Sequence, residues 1–101
     1  MLSLDWIKEQ VRAGQYYVSK HADEERHNDS LTFLEIEDAL LSGILLEYYE
    51  DTGRGESCLV AGYTKQGKPV HVVCGRRGEW PVMITVYIPK PPKFINPLER
   101  G

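Results

Sequence analysis

At Gly43 the apolar pattern of this chain changes period, and that change limits the fold more than any other feature of the sequence. Before Gly43, apolar residues recur every three or four positions, as on one face of a helix. After it they alternate, as on a half-buried strand. Leu4 to Ala13 reads as a helix with Trp6, Ile7 and Val11 on one side, stopped by Gly14. Gln15 to Ser19 is a short strand candidate. Thr32-Phe-Leu-Glu35 is a capping box, in which Thr32 caps the helix and Glu35 reaches back. It opens a helix over Phe33 to Ser42 with Phe33, Ile36, Ala39 and Leu40 as its stripe. Beyond Gly43 the strands predicted are Ile44–Asp51, Ser57–Thr64, Pro69–Cys74 and Pro81–Ile88. Connections as short as 52–56, 65–68 and 75–80 join antiparallel neighbours. The expectation is an α+β fold: N-terminal helices packed on one face of a four- to five-stranded antiparallel meander sheet. The 101 residues suit one domain, with its core over about 4–88 and a Pro-rich tail over 89–101. The tail's Phe94 to Gly101 is compatible both with packing through Phe94 and Ile95 and with a free end.

Register follows from one glycine. Gly67 in the left-handed position of a three-residue loop, Lys65-Gln66-Gly67, pairs Thr64 with Lys68. Val60 then lies opposite Val72, and Cys58 opposite Cys74. One face collects Cys58, Val60, Val70, Val72 and Cys74, and the two helix stripes belong against it. Tyr63, His71, Thr85 and Tyr87 gather on the other face. On the last strand, Val82, Ile84, Val86 and Ile88 are expected on the core face. The predicted core is Trp6, Ile7, Val11, Phe33, Ile36, Leu40, Val60, Val72, Ile84 and Val86.

One stretch fits neither period. From Lys20 to Ser30 the only apolar side chain is Ala22, although Ser19 is a good N-cap and the segment reads as a helix. A helix so short and polar is marginal by itself. His21 and Glu25 lie one turn apart on it, as do Ala22 and Arg26. A solvated charged turn with pairs four residues apart explains this spacing. So does a functional rim of His21, Glu25 and Arg26.

Two histidines, an arginine and a tyrosine suit acid–base cleavage of a phosphodiester: one group takes a proton from an attacking 2′-hydroxyl and another protonates the leaving oxygen. An arginine fork stabilises the charge that grows on phosphate. The candidate catalytic residues are therefore His21, Arg26, His71 and Tyr87. Lys20, Glu25, Tyr63, Thr85, Arg76 and Arg77 are candidate binding residues. Gly53-Arg54-Gly55 and Gly75-Arg76-Arg77-Gly78 read as hairpin tips. No metal ligand set and no cofactor are expected, because neither Cys58 nor Cys74 sits at zinc-site spacing and no carboxylate cluster points to magnesium. A lone histidine on a strand, such as His71, is more often structural than catalytic.

Charge is distributed unevenly. Residues 1–51 hold four Lys or Arg against twelve Asp or Glu, and residues 52–101 hold eight against three. A basic second half points to an acidic or polyanionic partner, although folding can also bring the halves together. The net charge of −3 counts against tight non-specific nucleic-acid binding. No apolar run approaches the roughly 20 residues of a membrane span. Two cysteines and no secretory pattern at the N-terminus give the expectation of a cytoplasmic protein.

Several of these motifs together resemble a small bacterial family, a domain of unknown function (DUF4258). They are His21-Ala22-x-x-x-Arg26, Ile36-Glu37-x-Ala39-Leu40 then Gly43, Ser57-Cys58-Leu59-Val60-x-Gly62-Tyr63, Gly67-x-Pro69-Val70-His71-Val72-Val73 and Ile84-Thr85-Val86-Tyr87-x-Pro89. They run from about Tyr17 to Asn96. The family is similar in layout to the RelE and MqsR toxin ribonucleases. The resemblance implies a toxin-like, metal-independent endoribonuclease of a toxin–antitoxin pair, acting on RNA and held by a zinc-finger antitoxin of the MqsA type. It places His21, Arg26, His71, Thr85 and Tyr87 at family positions. In one respect the chain departs: Asn28-Asp29 stands where many relatives carry Arg-Gly. The alternative is a non-catalytic binding module for a protein or small ligand.

Overall fold

The computed structural model describes residues 2–91 and 94–100, with backbone only at Phe94 and Ile95. Three helices, α1 (Leu4–Arg12), α2 (Lys20–Asn28) and α3 (Phe33–Ser42), pack on a five-stranded sheet. Its strands are β1 (Tyr17–Val18), β2 (Ile44–Tyr49), β3 (Ser57–Tyr63), β4 (Pro69–Arg77) and β5 (Trp80–Tyr87), in the order β1-β5-β4-β3-β2. A separate ribbon pairs β6 (Phe94–Asn96) with β7 (Glu99–Arg100). Strands β2 to β5 form the expected antiparallel meander. The sheet is nevertheless mixed, because β1 runs parallel to β5. No hairpin ties β1 to β5. Everything from α2 to β4 acts as the long crossover that a parallel pair needs.

Local signals account for the helices. Ser3, Ser19 and Thr32 cap α1, α2 and α3, and Thr32 and Glu35 complete the capping box. Ile36, Ala39 and Leu40 of α3 are buried against the sheet. The approach is close enough that a Cβ at Gly62 would lie 1.8 Å from the Ala39 carbonyl oxygen. The β3–β4 register is the one set by Gly67, whose φ is 84°: Thr64 N–H donates to the Lys68 carbonyl, Val60 faces Val72 and Cys58 faces Cys74. Both cysteines are buried and free in the core between sheet and helices, and burial pushes the Cys58 thiol up to about 11.

Two core assignments are corrected. The β4–β5 ladder shifts register between Val73 and Cys74, pairing Val73 with Thr85 and Cys74 with Met83, so that Ile84 is the extra, bulged residue. Met83 therefore takes the core position. Ile84 turns to the other face and is 38% exposed. Phe33 is also 38% exposed, because it lies under the Arg26 guanidinium at 4.0 Å rather than beneath the helix. Leu31, Val70, Cys58 and Cys74 complete the core instead. The segment 75–80, expected as a loop, continues both strands to Arg77 and Trp80, leaving only Gly78 and Glu79 as the turn. Among the described residues no helix is long and apolar enough to cross a membrane.

Candidate functional site

The polar helix α2 has a structural task. β1 covers the outer edge of β5 only opposite Val82 and Met83. Beyond that point the backbone groups of β5 need other partners. Ser19 donates its N–H to the Met83 carbonyl at 2.9 Å and its hydroxyl to the Ile84 carbonyl at 2.9 Å, while accepting from Ala22 N–H at 3.0 Å. Nearly two turns on, Glu25 Oε1 accepts from Val86 N–H at 3.0 Å; about one turn further, Asp29 Oδ2 accepts from Ile88 N–H at 3.2 Å. The carboxylates of α2 thus finish the sheet edge, and Ala22 alone joins the core. The departure at Asn28-Asp29 belongs to this arrangement, since Asp29 reaches the last edge amide.

His21 and Glu25 are brought together: His21 Nε2 lies 3.2 Å from the same Glu25 Oε1 that holds Val86, and the imidazole is 66% exposed. Arg26 faces elsewhere. Its Nε donates to Asp23 at 2.8 Å, one Nη donates to the Leu31 carbonyl at 3.3 Å, and the guanidinium covers Phe33. Arg26 locks the turn from α2 into α3. Lys20 lies 4.0 Å from Glu24 in solvent.

His71, Thr85 and Tyr87 share the sheet face away from the helices, as the register required. That face is not open at His71. The ribbon β6–β7 crosses it, and His71 is fully buried with Nε2 on the Pro97 carbonyl and Nδ1 3.2 Å from the Tyr87 hydroxyl. A carbonyl only accepts, so Nε2 carries a proton toward Pro97, while Nδ1 faces the Tyr87 hydroxyl. The Arg100 guanidinium anchors the ribbon, donating to Glu47 at 2.7 Å, and this bond is the main reason the Glu47 carboxyl sits at about 2. Burial raises the Tyr87 hydroxyl, with smaller contributions from the charges of Glu47 and Glu25. Tyr63 stands at the far end of the sheet, beside a shallow apolar cleft with Leu41 and Thr64.

The remainder of this face is open. A cleft of about 530 Å³ has Ser57, Gly75, Val82 and Ile84 along its floor, Arg54 and Glu56 on one wall and Arg76 and Arg77 near the other. It reaches Ser19, two residues before His21. Sequence reasoning singled out Arg76 and Arg77. It missed Ile84, because a bulge has no signature in the alternation. It also missed Glu47 and Arg100, which meet only through the ribbon. Asp29 was visible only as a departure from relatives.

A family model described as domain of unknown function (DUF4258) matches residues 18–88, and the chain belongs to that family. No curated protein and no solved structure matches it.

Proposed function

We propose that this DUF4258 member is a toxin-like endoribonuclease that cleaves RNA by metal-independent acid–base chemistry. One observation carries the reading: an exposed imidazole, His21, is held by a carboxylate at the edge of the sheet. His21 Nε2 lies 3.2 Å from Glu25 Oε1, and on the sheet the Tyr87 hydroxyl lies 3.2 Å from His71 Nδ1. With Nε2 of His21 held by Glu25, Nδ1 takes the proton of an attacking 2′-hydroxyl. The 2′ oxygen bonds to phosphorus, the bond to the 5′ oxygen breaks, and Tyr87 protonates the departing oxygen. The products are a 2′,3′-cyclic phosphate and a 5′-hydroxyl end. The raised Tyr87 hydroxyl keeps its proton at neutral pH, the state that an acid requires. Arg26 serves as a positioning residue through the α2–α3 turn. A RelE-like ancestry, a cytoplasmic site of action and a zinc-finger antitoxin of the MqsA type as partner belong to the same reading.

A second reading, a binding module without catalysis, is favoured by the complete burial of His71 beneath Pro97. Purified protein incubated with defined RNA and a chelator separates the two. The expected result is cleavage to cyclic-phosphate ends, abolished in His21→Ala with the fold unchanged. No cleavage by the wild type, or full cleavage by His21→Ala, rejects the ribonuclease in favour of the binding module.

A further inference from the structure

We infer that the open end of the sheet is a subsite for single-stranded RNA, formed by Arg54 and Arg77 around the floor of Val82, Ile84 and Gly75, with Tyr17 and Trp80 as a stacking rim. The inference rests on the RNA reading above, and it names a place for the nucleotide that His21, Glu25 and Tyr87 do not supply.

Three features converge. The first is charge: the lining holds Arg54, Arg76 and Arg77 against the single carboxylate of Glu56. Glu56 is engaged by the Tyr48 hydroxyl, and that bond lowers its carboxyl. Arg76 is committed as well, donating to the Gly78 carbonyl at 2.9 Å and lying 4.8 Å over Trp6. Arg54 and Arg77 are therefore the arginines assigned to phosphate, and this is the basic end of a chain whose net charge is negative.

The second is the floor. The bulge in β5 turns Ile84 out of the core and lays it across Gly75, where a Cβ would come within 2.8 Å of Ile84 Cδ1. The result is a half-exposed apolar patch beneath charged walls, suited to a ligand that carries a flat apolar ring and an anion together. The third is aromatic. Tyr17 and Trp80 lie 5.2 Å apart, and the Arg77 guanidinium sits 5.3 Å over Tyr17. Interleaved arginines and aromatic rings are how proteins hold single strands, the rings taking bases and the cations taking the backbone. A cleft of about 530 Å³ is of small-ligand size, enough for a nucleotide but not for a duplex. It also ends at Ser19, so a strand leaving the cleft along α2 passes His21.

The probe is a fluorescent RNA oligonucleotide with 2′-O-methyl groups, which lacks the attacking hydroxyl and cannot be cut. Fluorescence anisotropy on the full chain should show binding that weakens with salt. Arg54→Ala with Arg77→Ala should weaken it at least tenfold, and the slope of log affinity against log salt should fall by about 0.7 for each arginine removed. Trp80→Ala should weaken binding without changing that slope, which separates stacking from charge. Circular dichroism confirms that each variant is folded. Equal affinity of wild type and double variant overturns the subsite and leaves the ribonuclease open to its own cleavage test. Binding lost in the double variant, by a wild type that cuts no ordinary RNA, keeps the subsite and rejects the catalyst. No binding by the wild type overturns the subsite.

Discussion

Helices α2 and α3 flank the same sheet, have nearly the same length, and are held by opposite means. α3 buries Ile36, Ala39 and Leu40, and its backbone comes so near β3 that only glycine fits at Gly62. α2 buries Ala22 alone and is held by Ser19, Glu25 and Asp29 bonding to backbone groups along the edge of β5. One helix supplies the hydrophobic layer; the other supplies hydrogen bonds to a strand that would otherwise present an unpaired edge. A helix without an apolar stripe looks ordered for the sake of chemistry, yet here its order has a structural cause. Chemistry must then be argued from what the edge contacts leave over, namely His21 on the solvent side of Glu25.

Each helix should be weakened by a change to its own means of attachment. Ile36→Ala removes a fully buried side chain from α3 and should cost about 2–5 kcal/mol in denaturant unfolding. A loss near zero would show that α3 is not held by burial.

Glu25→Ala should cost about 1–3 kcal/mol, because it leaves the Val86 amide without its partner in a half-buried place. Glu25→Gln keeps an acceptor for that amide while removing the charge beside His21. It should therefore recover most of the stability but not the activity. If Gln restores neither, the edge bond is not what holds α2. If it restores both, the carboxylate charge has no role at His21.

How legible this was depends on which forces were local. Gly67 set the hairpin, and with it the cysteine pair and the face of His71, because a three-residue loop admits one register. Thr32 and Glu35 marked the start of α3 for the same reason. The bulge at Ile84 could not be read from alternation, since one extra residue leaves Val82, Ile84 and Val86 looking like a single stripe. The parallel β1 was hidden because two residues of strand carry no direction in their sequence. At the candidate site, His21 with Glu25 follows from helical spacing. The burial of His71 does not, because it depends on a ribbon that arrives after a stretch holding Pro89, Pro91 and Pro92, with no pattern of its own.

The smallest effect expected concerns how that ribbon is held, and it extends the comparison to a third kind of attachment, an ion pair. The Arg100 guanidinium holds the Glu47 carboxyl at about 2, against an ordinary 4.5. Because the folded value is depressed, the contribution is fully present above the ordinary carboxylate range. It is lost as pH falls from about 4.5 through 2. Tyr49 donates to Glu47 as well, and its own hydroxyl is pushed up to about 12, chiefly by burial, so it stays protonated across that window. His71 faces the ribbon through Pro97, and Tyr87 faces His71. The Arg100 side-chain N–H resonances, followed by NMR, should therefore report a docked ribbon down to about pH 4.5 and its loosening below. In Glu47→Gln the same resonances should be insensitive to pH in that window and weaker above it. Loosening of the wild-type ribbon between pH 7 and 5 would assign its control to the imidazole of His71 rather than to Glu47. The ribbon would then be governed by its hydrogen bond to His71, and not by an ion pair of its own.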